Sequence, residues 1–395
     1  MDRPVRLTPG WERTLVAAFM AAILLPGIGT LLGVDRVSLA GENRALASAP
    51  GWPSTWSAAR AFPGAFSRYF EDRFAFRARL VAWQARLRFQ ALHSSPSSDV
   101  VVGLDGWLYY AADGAREDFG RNEPFPAQEL ETWRQTLQHT QDWLATRGIT
   151  YLFVLAPDKH AVYPEYLPGS LHPVRDASRI DDLVRYLAAH STVHVLDLRP
   201  ALFEAKTRER LYHRTDTHWN DRGAHVAYAQ ILGRLRAGVP GLEPIGRESF
   251  EPRKVRTPGM DLAGMLGLTD VLSEEDLALQ PRRTRAAVTV EPARPNPHHD
   301  EARIITEIRG SPLPRALVFR DSFGSALIPF LSEHFSRAVY LWQYDVDPQI
   351  VAAERPDVVI QEWVGRRLQT LLPYDAVGAI TPEEGAVNST PAGHR

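Results

Sequence analysis

Ala316-Leu-Val-Phe319 runs directly into Arg320-Asp-Ser-Phe-Gly324. The first four residues form a continuous apolar run that reads as a strand buried on both faces, as in a parallel sheet. A serine at the first turn after such a strand stands where doubly wound α/β sheets place their active sites. Ser322 is therefore a candidate nucleophile. Upstream, Thr215-Asp-Thr-His-Trp-Asn220 supplies a base, His218, and a carboxylate to orient it, Asp216. In an extended segment residues i and i+2 face the same side, so Asp216 can bond one ring nitrogen and leave the other for Ser322. Nucleophile, base and orienting carboxylate are the minimum set for acyl transfer through a covalent ester. The Asp321-Ser322 pair also fits a plain helix N-cap. Both readings put helix N–H groups beside the serine, where a developing oxyanion is stabilised.

The pattern around this strand repeats. Pro126 to Arg147 has Leu130, Trp133, Leu137 and Trp143 at helical spacing, and Gly148 ends it. Tyr151-Leu-Phe-Val-Leu155 is a second buried strand. Helix 178–190, strand 193–196, helix 199–205 and helix 221–237 follow. A helix from Ser322 to His334, strand 338–341, a short helix at 347–354 and strand 358–361 complete the series. Strands alternating with helices indicate a parallel sheet flanked by helices. Val100–Val102 and Trp107–Tyr110 read as a hairpin around Leu104-Asp-Gly106. Phe62 to Leu92 reads as one amphipathic helix whose stripe of Phe66, Phe70, Phe74, Leu80, Trp83 and Leu87 is a core face. Residues 240–314 break the rhythm; prolines there make an irregular insertion the expected form. Pro382 to Arg395 reads as a polar tail.

Bulk composition narrows the function. The net charge of −2 gives no footprint for nucleic acid, and the absence of cysteine excludes disulfides and thiolate chemistry. From Thr14 to Val34 there is no charged residue, and about 20 apolar residues span a bilayer. Arg3, Arg6 and Arg13 precede this segment and place that end in the cytoplasm. The expected organisation is an uncleaved membrane anchor in residues 1–35, a linker in 36–60, a catalytic domain in 61–372 and a polar tail in 373–395. A helix of the soluble core and a cleaved signal peptide are the competing readings of the anchor.

Other side chains are candidates for the pocket. Pro157-Asp-Lys-His160 follows a buried strand at its carboxyl end, so Lys159 either steadies an anion there or pairs with a structural acid. Tyr163-Pro-Glu-Tyr-Leu-Pro168 follows closely. Glu362-Trp-Val-Gly-Arg-Arg367 follows the last strand, where Arg366 faces an anionic polymer or a surface acid. His213, Asp216 and His218, with His225, also suggest a zinc site, though the spacing is not a strong zinc pattern. His298, His299 and Asp300 form a further polar cluster, read as solvated.

Taken together, Phe70-Glu-Asp-Arg-Phe-Ala-Phe-Arg77, Val101-Val-Gly-Leu-Asp-Gly-Trp-Leu-Tyr109, Pro157-Asp-Lys159, Tyr163–Pro168, Thr215–Asn220, Arg320–Gly324 and Pro356-Asp-Val-Val-Ile360 resemble the alginate O-acetyltransferase family of SGNH-hydrolase-like proteins. The resemblance spans roughly residues 60–370. It implies an SGNH-hydrolase-like doubly wound parallel sheet behind one transmembrane helix. Ser322, His218 and Asp216 would be catalytic, and Lys159, Tyr163, Trp219, Arg320 and Arg366 would bind substrate, with no cofactor and no metal. It further implies a polysaccharide acceptor, an acetyl donor delivered by a multi-spanning membrane O-acyltransferase, and a periplasmic location at the inner membrane. The motif order, Asp-x-His before Ser, departs from ordinary SGNH esterases, and only the Ser322 N–H stands out as an oxyanion donor. An esterase with the same triad, a non-catalytic polysaccharide-binding component of an export complex and a metal hydrolase are the alternatives.

Overall fold

The computed structural model describes residues 9–32, 47–92, 94–291 and 303–379. Two compact units are present: residues up to Ser97 with Ala263–Val271, and Ser98–Leu262 with Leu272 onward. The polar cluster at 298–300 and the tail from Pro382 lie outside the described residues.

The first unit carries three helices, α1 (Pro9–Leu31), α2 (Trp56–Arg73) and α3 (Arg77–Leu92). The single helix expected over Phe62–Leu92 is thus two. At the break Ala75 gives its N–H to Thr30 Oγ1 of α1 at 2.8 Å, a contact 45 residues away in sequence. The chain turns there through an extended Phe74 and a left-handed Phe76, φ 67°. The stripe expected to be core is largely exposed, including Phe66, Leu80, Trp83 and Leu87.

The second unit is built on strands β1 (Val100–Val102), β2 (Leu108–Tyr110), β3 (Thr150–Ala156), β4 (Val195–Asp197), β5 (Phe250–Pro258), β6 (Ser273–Pro281), β7 (Val288–Glu291), β8 (Arg303–Glu307), β9 (Arg315–Arg320), β10 (Arg337–Trp342) and β11 (Val358–Val364). Seven of them form one sheet in the order β4-β3-β11-β9-β10-β8-β7. The five from β4 to β10 run parallel. Their apolar runs are buried on both faces, as period-2 alternation requires. Leu152, Val154, Ala316, Val318, Tyr340 and Ile360 pack on one side against helix Asp221–Leu235. Tyr151, Phe153, Leu317, Phe319, Val339 and Val359 pack on the other against helices Ala127–Ala145 and Arg179–His190. Helices on both faces make the sheet doubly wound. Ser178 and Asp181 close a reciprocal capping box at the start of the last helix.

The sheet is mixed rather than wholly parallel. β8 and β7 add antiparallel beyond β10. Only residues 308–314 separate β8 from β9, too few for the crossover a parallel pair needs. The insertion at 240–314 is likewise not irregular throughout. β5 and β6 pair antiparallel over nine residues each. Pro252, Pro258 and Pro281 all fall in the same alternate set of pairs. In one such set the N–H groups point away from the partner, so a missing N–H breaks no ladder bond.

Charge fastens this hairpin to the body. Glu274 and Asp276, two residues apart on β6, face the same way. Glu274 accepts from the backbone N–H of Arg214 and contacts His213 Nδ1 at 2.8 Å. Asp276 meets the Arg222 guanidinium and accepts from Asn220 Nδ2. Burial alone lowers the His213 pKa, but Asp276 and Glu274 outweigh it and raise it to about 9. A histidine raised in the fold stabilises fully below its unfolded value and loses that contribution as pH rises through the folded one. Urea unfolding of wild type and His213→Gln should differ by about 2–3 kcal/mol near pH 6, and the gap should close by about pH 9.5. A gap that does not change with pH would show that His213 is not held charged.

Candidate active site

The carboxyl ends of β3, β11 and β9 lie side by side, and each delivers part of the site. Ser322 leaves β9 in helical conformation, φ −65° and ψ −28°, without a cap bond from its side chain. Asp321 takes that role, accepting the Phe323 N–H through Oδ1 at 2.8 Å. Its Oδ2 accepts the Val364 N–H at 2.8 Å, tying the serine turn to the end of β11. The expected helix 322–334 is broken. A 3-10 turn spans Phe323–Leu327, and one α-turn, Ile328–Leu331, follows. Pro329 has no N–H to give to a carbonyl one turn back, so the segment does not continue as a regular helix. Gly324 is required at its place: a Cβ would lie 2.7 Å from Arg320 Cβ and 3.1 Å from Glu362 Oε2. Among the described residues no acceptor takes the N–H of Ser322 or of Gly324.

Asp216 and His218 sit on a tight turn closed by the Tyr212–Trp219 bridge. Asp216 Oδ1 accepts the His218 backbone N–H at 2.9 Å and meets its ring Nδ1 at 2.6 Å. Burial raises the Asp216 carboxyl, but His218 pulls it down further, to about 2, so it is ionised at neutral pH. The other ring nitrogen, Nε2, is buried and has no partner among the described residues. The ring lies 5.0 Å from that of Phe323, the residue after Ser322. Trp219 Nε1 donates to Phe323 O at 3.1 Å. The structure thus brings the Asp-x-His turn against the serine turn.

The five other nominated residues are buried and engaged with protein groups. Lys159 Nζ donates to the carbonyls of His213 and Arg214 at 3.0 and 3.2 Å, and to that of Asp216. Three N–H groups meet three carbonyls of the turn that carries the histidine. Burial lowers this ammonium to about 7, against the pull of Asp216, Asp261 and Glu274. Tyr163 accepts the Leu211 N–H at 2.9 Å, and Trp219 is packed under Phe323. Arg320 donates to Asp321 O and Ser325 Oγ and lies 4.7 Å over Trp342. Arg366 bonds Asp158 through backbone and guanidinium and lies 5.6 Å over Phe323. The zinc set expected from His213, Asp216 and His218 does not come together, since His213 turns to Glu274 and Asp276.

Sequence reasoning missed several acids. Asp261 accepts the Thr217 N–H at 2.8 Å and stands 4.0 Å from His218 Nδ1; burial and the charge of Asp216 raise its pKa. Asp158 was read only as part of a motif, whereas Asp321 was read with Ser322 as a helix N-cap and caps the Phe323 N–H. Glu362 is wholly buried. Its Oε2 accepts the Asp321 N–H at 3.1 Å, and Oε1 has no partner among the described residues. Burial and the charge of Asp321 push its carboxyl well above the usual range. Asp261 and Glu274 lie in a stretch whose composition read as loop, and no local signal marked them.

The sequence profile of a family described as "SGNH hydrolase-like domain, acetyltransferase AlgX" matches residues 100–341. A Pseudomonas aeruginosa protein named "Probable alginate O-acetylase AlgJ" is 31% identical over 301 residues, covering 71% of this chain and 68% of that one. A protein of the same name from Pseudomonas syringae pv. tomato is 27% identical over 259 residues, covering 64% and 58%. Among solved structures, PatB1 of Bacillus cereus superposes with a TM-score of 0.51 at 16% identity, covering 69% of this chain and 98% of that one; the likeness is one of fold.

Removing Glu362 tests the support beneath Ser322. Glu362→Ala leaves the Asp321 N–H buried without an acceptor and should cost about 2–4 kcal/mol. Glu362→Gln keeps the acceptor without a charge and should stay within about 1 kcal/mol of wild type. Equal losses in urea unfolding for both variants would mean that Glu362 acts as a charged group.

Proposed function

The chain belongs to the SGNH hydrolase-like acetyltransferase family, and we propose on that premise that it transfers acetyl groups to hydroxyls of an exopolysaccharide. Relatives named alginate O-acetylase make a uronate polymer the first acceptor to test. The observation that carries the mechanism is the buried, unpartnered Nε2 of His218, whose Nδ1 is held by Asp216. Ser322 Oγ attacks the acetyl carbonyl while His218 Nε2 takes its proton. The proton then passes to the leaving group, and the acetyl ester remains on Ser322. A sugar hydroxyl next gives its proton to His218 and attacks the ester, and Ser322 recovers a proton. Asp216 keeps the ring in the required tautomer and stabilises the imidazolium. The free N–H groups of Ser322 and Gly324 serve the oxyanion. Lys159, Tyr163, Trp219, Arg320 and Arg366 act here as positioning residues.

The helix Gly10–Thr30 is long and apolar enough to cross a bilayer, and little of it is buried. In this reading it anchors the chain in the inner membrane, with the second unit in the periplasm. A multi-spanning O-acyltransferase in the same membrane delivers the acetyl group.

Incubation of the full chain with an activated acetyl ester should add one acetyl group at Ser322, read by intact-protein and peptide mass spectrometry. Ser322→Ala should abolish it. Asp216→Asn should slow it by about 10²–10⁴-fold. Oligosaccharide acceptors should discharge the adduct faster than water does. Discharge to water alone would identify an esterase, and a Ser322→Ala protein that is acetylated as well as wild type would sink the mechanism.

A further inference from the structure

The α2–α3 pair presents a face that a water-soluble surface does not explain. Phe62, Phe66, Phe70 and Phe74 recur every four residues along α2, with consecutive rings stacked at 6.0, 6.3 and 5.9 Å. Trp52 caps the ladder edge-on at 5.9 Å and is 89% exposed. On α3, Leu80, Trp83 and Leu87 form a second stripe at helical spacing, exposed by 47%, 64% and 44%. Phe66 is exposed in the middle of this ladder and Phe62, Phe70 and Phe74 are half-buried; apolar side chains gathered at a surface in this way mark an interaction site. Between Trp56 and Leu92 there are seven arginines and two acids; Arg86 pairs with Asp270 and Arg73 bonds the Ala47 carbonyl, and Arg60, Arg68 and Arg88 are the ones this reading assigns to lipid. Aromatic and aliphatic side chains together with a strong excess of arginine are the composition of helices that lie in a membrane interface.

What covers this face follows from what it is attached to. The last turn of α1 docks on the elbow between α2 and α3. Thr30 Oγ1 donates to Pro26 O and accepts the Ala75 N–H. Gly29 lets the helix come close, since a Cβ there would stand 2.7 Å from Ala75 Cβ. The 21 residues Gly10–Thr30 rise about 31 Å at ~1.5 Å each, the thickness of a bilayer's hydrocarbon core, ~30 Å. The elbow therefore sits where that helix leaves the hydrocarbon, and α2 and α3 start from the membrane surface.

We propose that α2 and α3 form an interfacial membrane-binding hairpin, with its aromatic and aliphatic stripes in the headgroup region and Arg60, Arg68 and Arg88 on anionic phospholipid. This rests on the reading of α1 as a membrane anchor. The hairpin gives the chain a second hold on the bilayer, so the second unit is tethered from a surface rather than from a single swinging helix.

The chain has no cysteine, which makes single-site labelling direct. Full chains carrying Ala21→Cys, Phe66→Cys, Trp83→Cys or Glu275→Cys would be labelled with an environment-sensitive fluorophore and reconstituted into phosphatidylglycerol-containing nanodiscs. Quenching would be compared for lipids bearing the quencher near the headgroup or near the bilayer centre. Labels at Phe66 and Trp83 should be quenched severalfold more than at Glu275, and by the headgroup-proximal quencher. Ala21 should respond to the deep one. Arg68→Glu with Arg88→Glu should weaken the Phe66 signal. Quenching at Ala21 with none at Phe66 or Trp83 overturns the hairpin proposal while the anchor stands, and gives the face to a protein partner. Absence of quenching at Ala21 overturns the anchor itself.

Discussion

One buried carboxylate, that of Asp321, sets the geometry on which the site depends. Its two oxygens accept the N–H of Phe323 and of Val364. One bond shapes the turn after β9, and the other locks that turn to the end of β11. An acid with this little solvent is costly to bury. The backbone donors and the nearby positive charge of Arg366 offset part of the cost, and burial still leaves the Asp321 carboxyl raised above its ordinary range. Glu362 beside it is raised as well, by burial and by the charge of Asp321. Strand register and serine position are therefore one constraint: a shift of β11 against β9 would remove the hydrogen bond that holds the turn.

The histidine turn is held from three directions. Lys159 satisfies three of its carbonyls from β3, Glu274 takes two of its N–H groups from the β5–β6 hairpin, and Asp261 takes that of Thr217. None of these contacts reaches Nε2 of His218. Each fixes a backbone group in a segment that has neither helix nor sheet to do so. The parallel sheet supplies a precise place for Ser322. The charged insertion supplies one for His218, and the two come together through Phe323 and Trp219.

The parts legible in the sequence were those whose cause is local. β3 and β9 announce themselves as continuous apolar runs. Helix 179–190 does so by its apolar spacing, and its cap at Ser178 confirms it. Ser322, Asp216 and His218 fall in two short motifs, and the structure brings those motifs against each other through Phe323 and Trp219. The β5–β6 hairpin was not legible. It shows little apolar alternation, because it is fastened by Glu274 and Asp276 to partners about 55–60 residues earlier in the chain, a relation that no local window contains. The long cationic side chains show a related limit of local reading. Lys159, Arg320 and Arg366 have the chemistry of ligand binding, and the partners they meet in the structure are carbonyls, a serine hydroxyl and an acid of the protein itself. The α2 stripe had the period of a core helix, but periodicity reports that a face is apolar and not what covers it.

Around the serine turn Asp321 is committed at both oxygens, Lys159 at three carbonyls and Arg366 to Asp158. Glu362 Oε1, Arg320 Nε and Arg366 Nε are, like His218 Nε2, buried without a partner among the described residues. What sets the histidine atom apart is its chemistry: it is the one of these four that can take up a proton and give it back near neutral pH. A buried polar atom without a partner costs about 1–3 kcal/mol, and the fold carries that cost only where surrounding contacts over-determine the geometry. Here they do. The histidine ring is held at Nδ1 by an ionised acid and lies tilted against Phe323, which itself packs on Trp219. A ring held in place with one nitrogen open meets the geometric requirement of the proposed proton transfer.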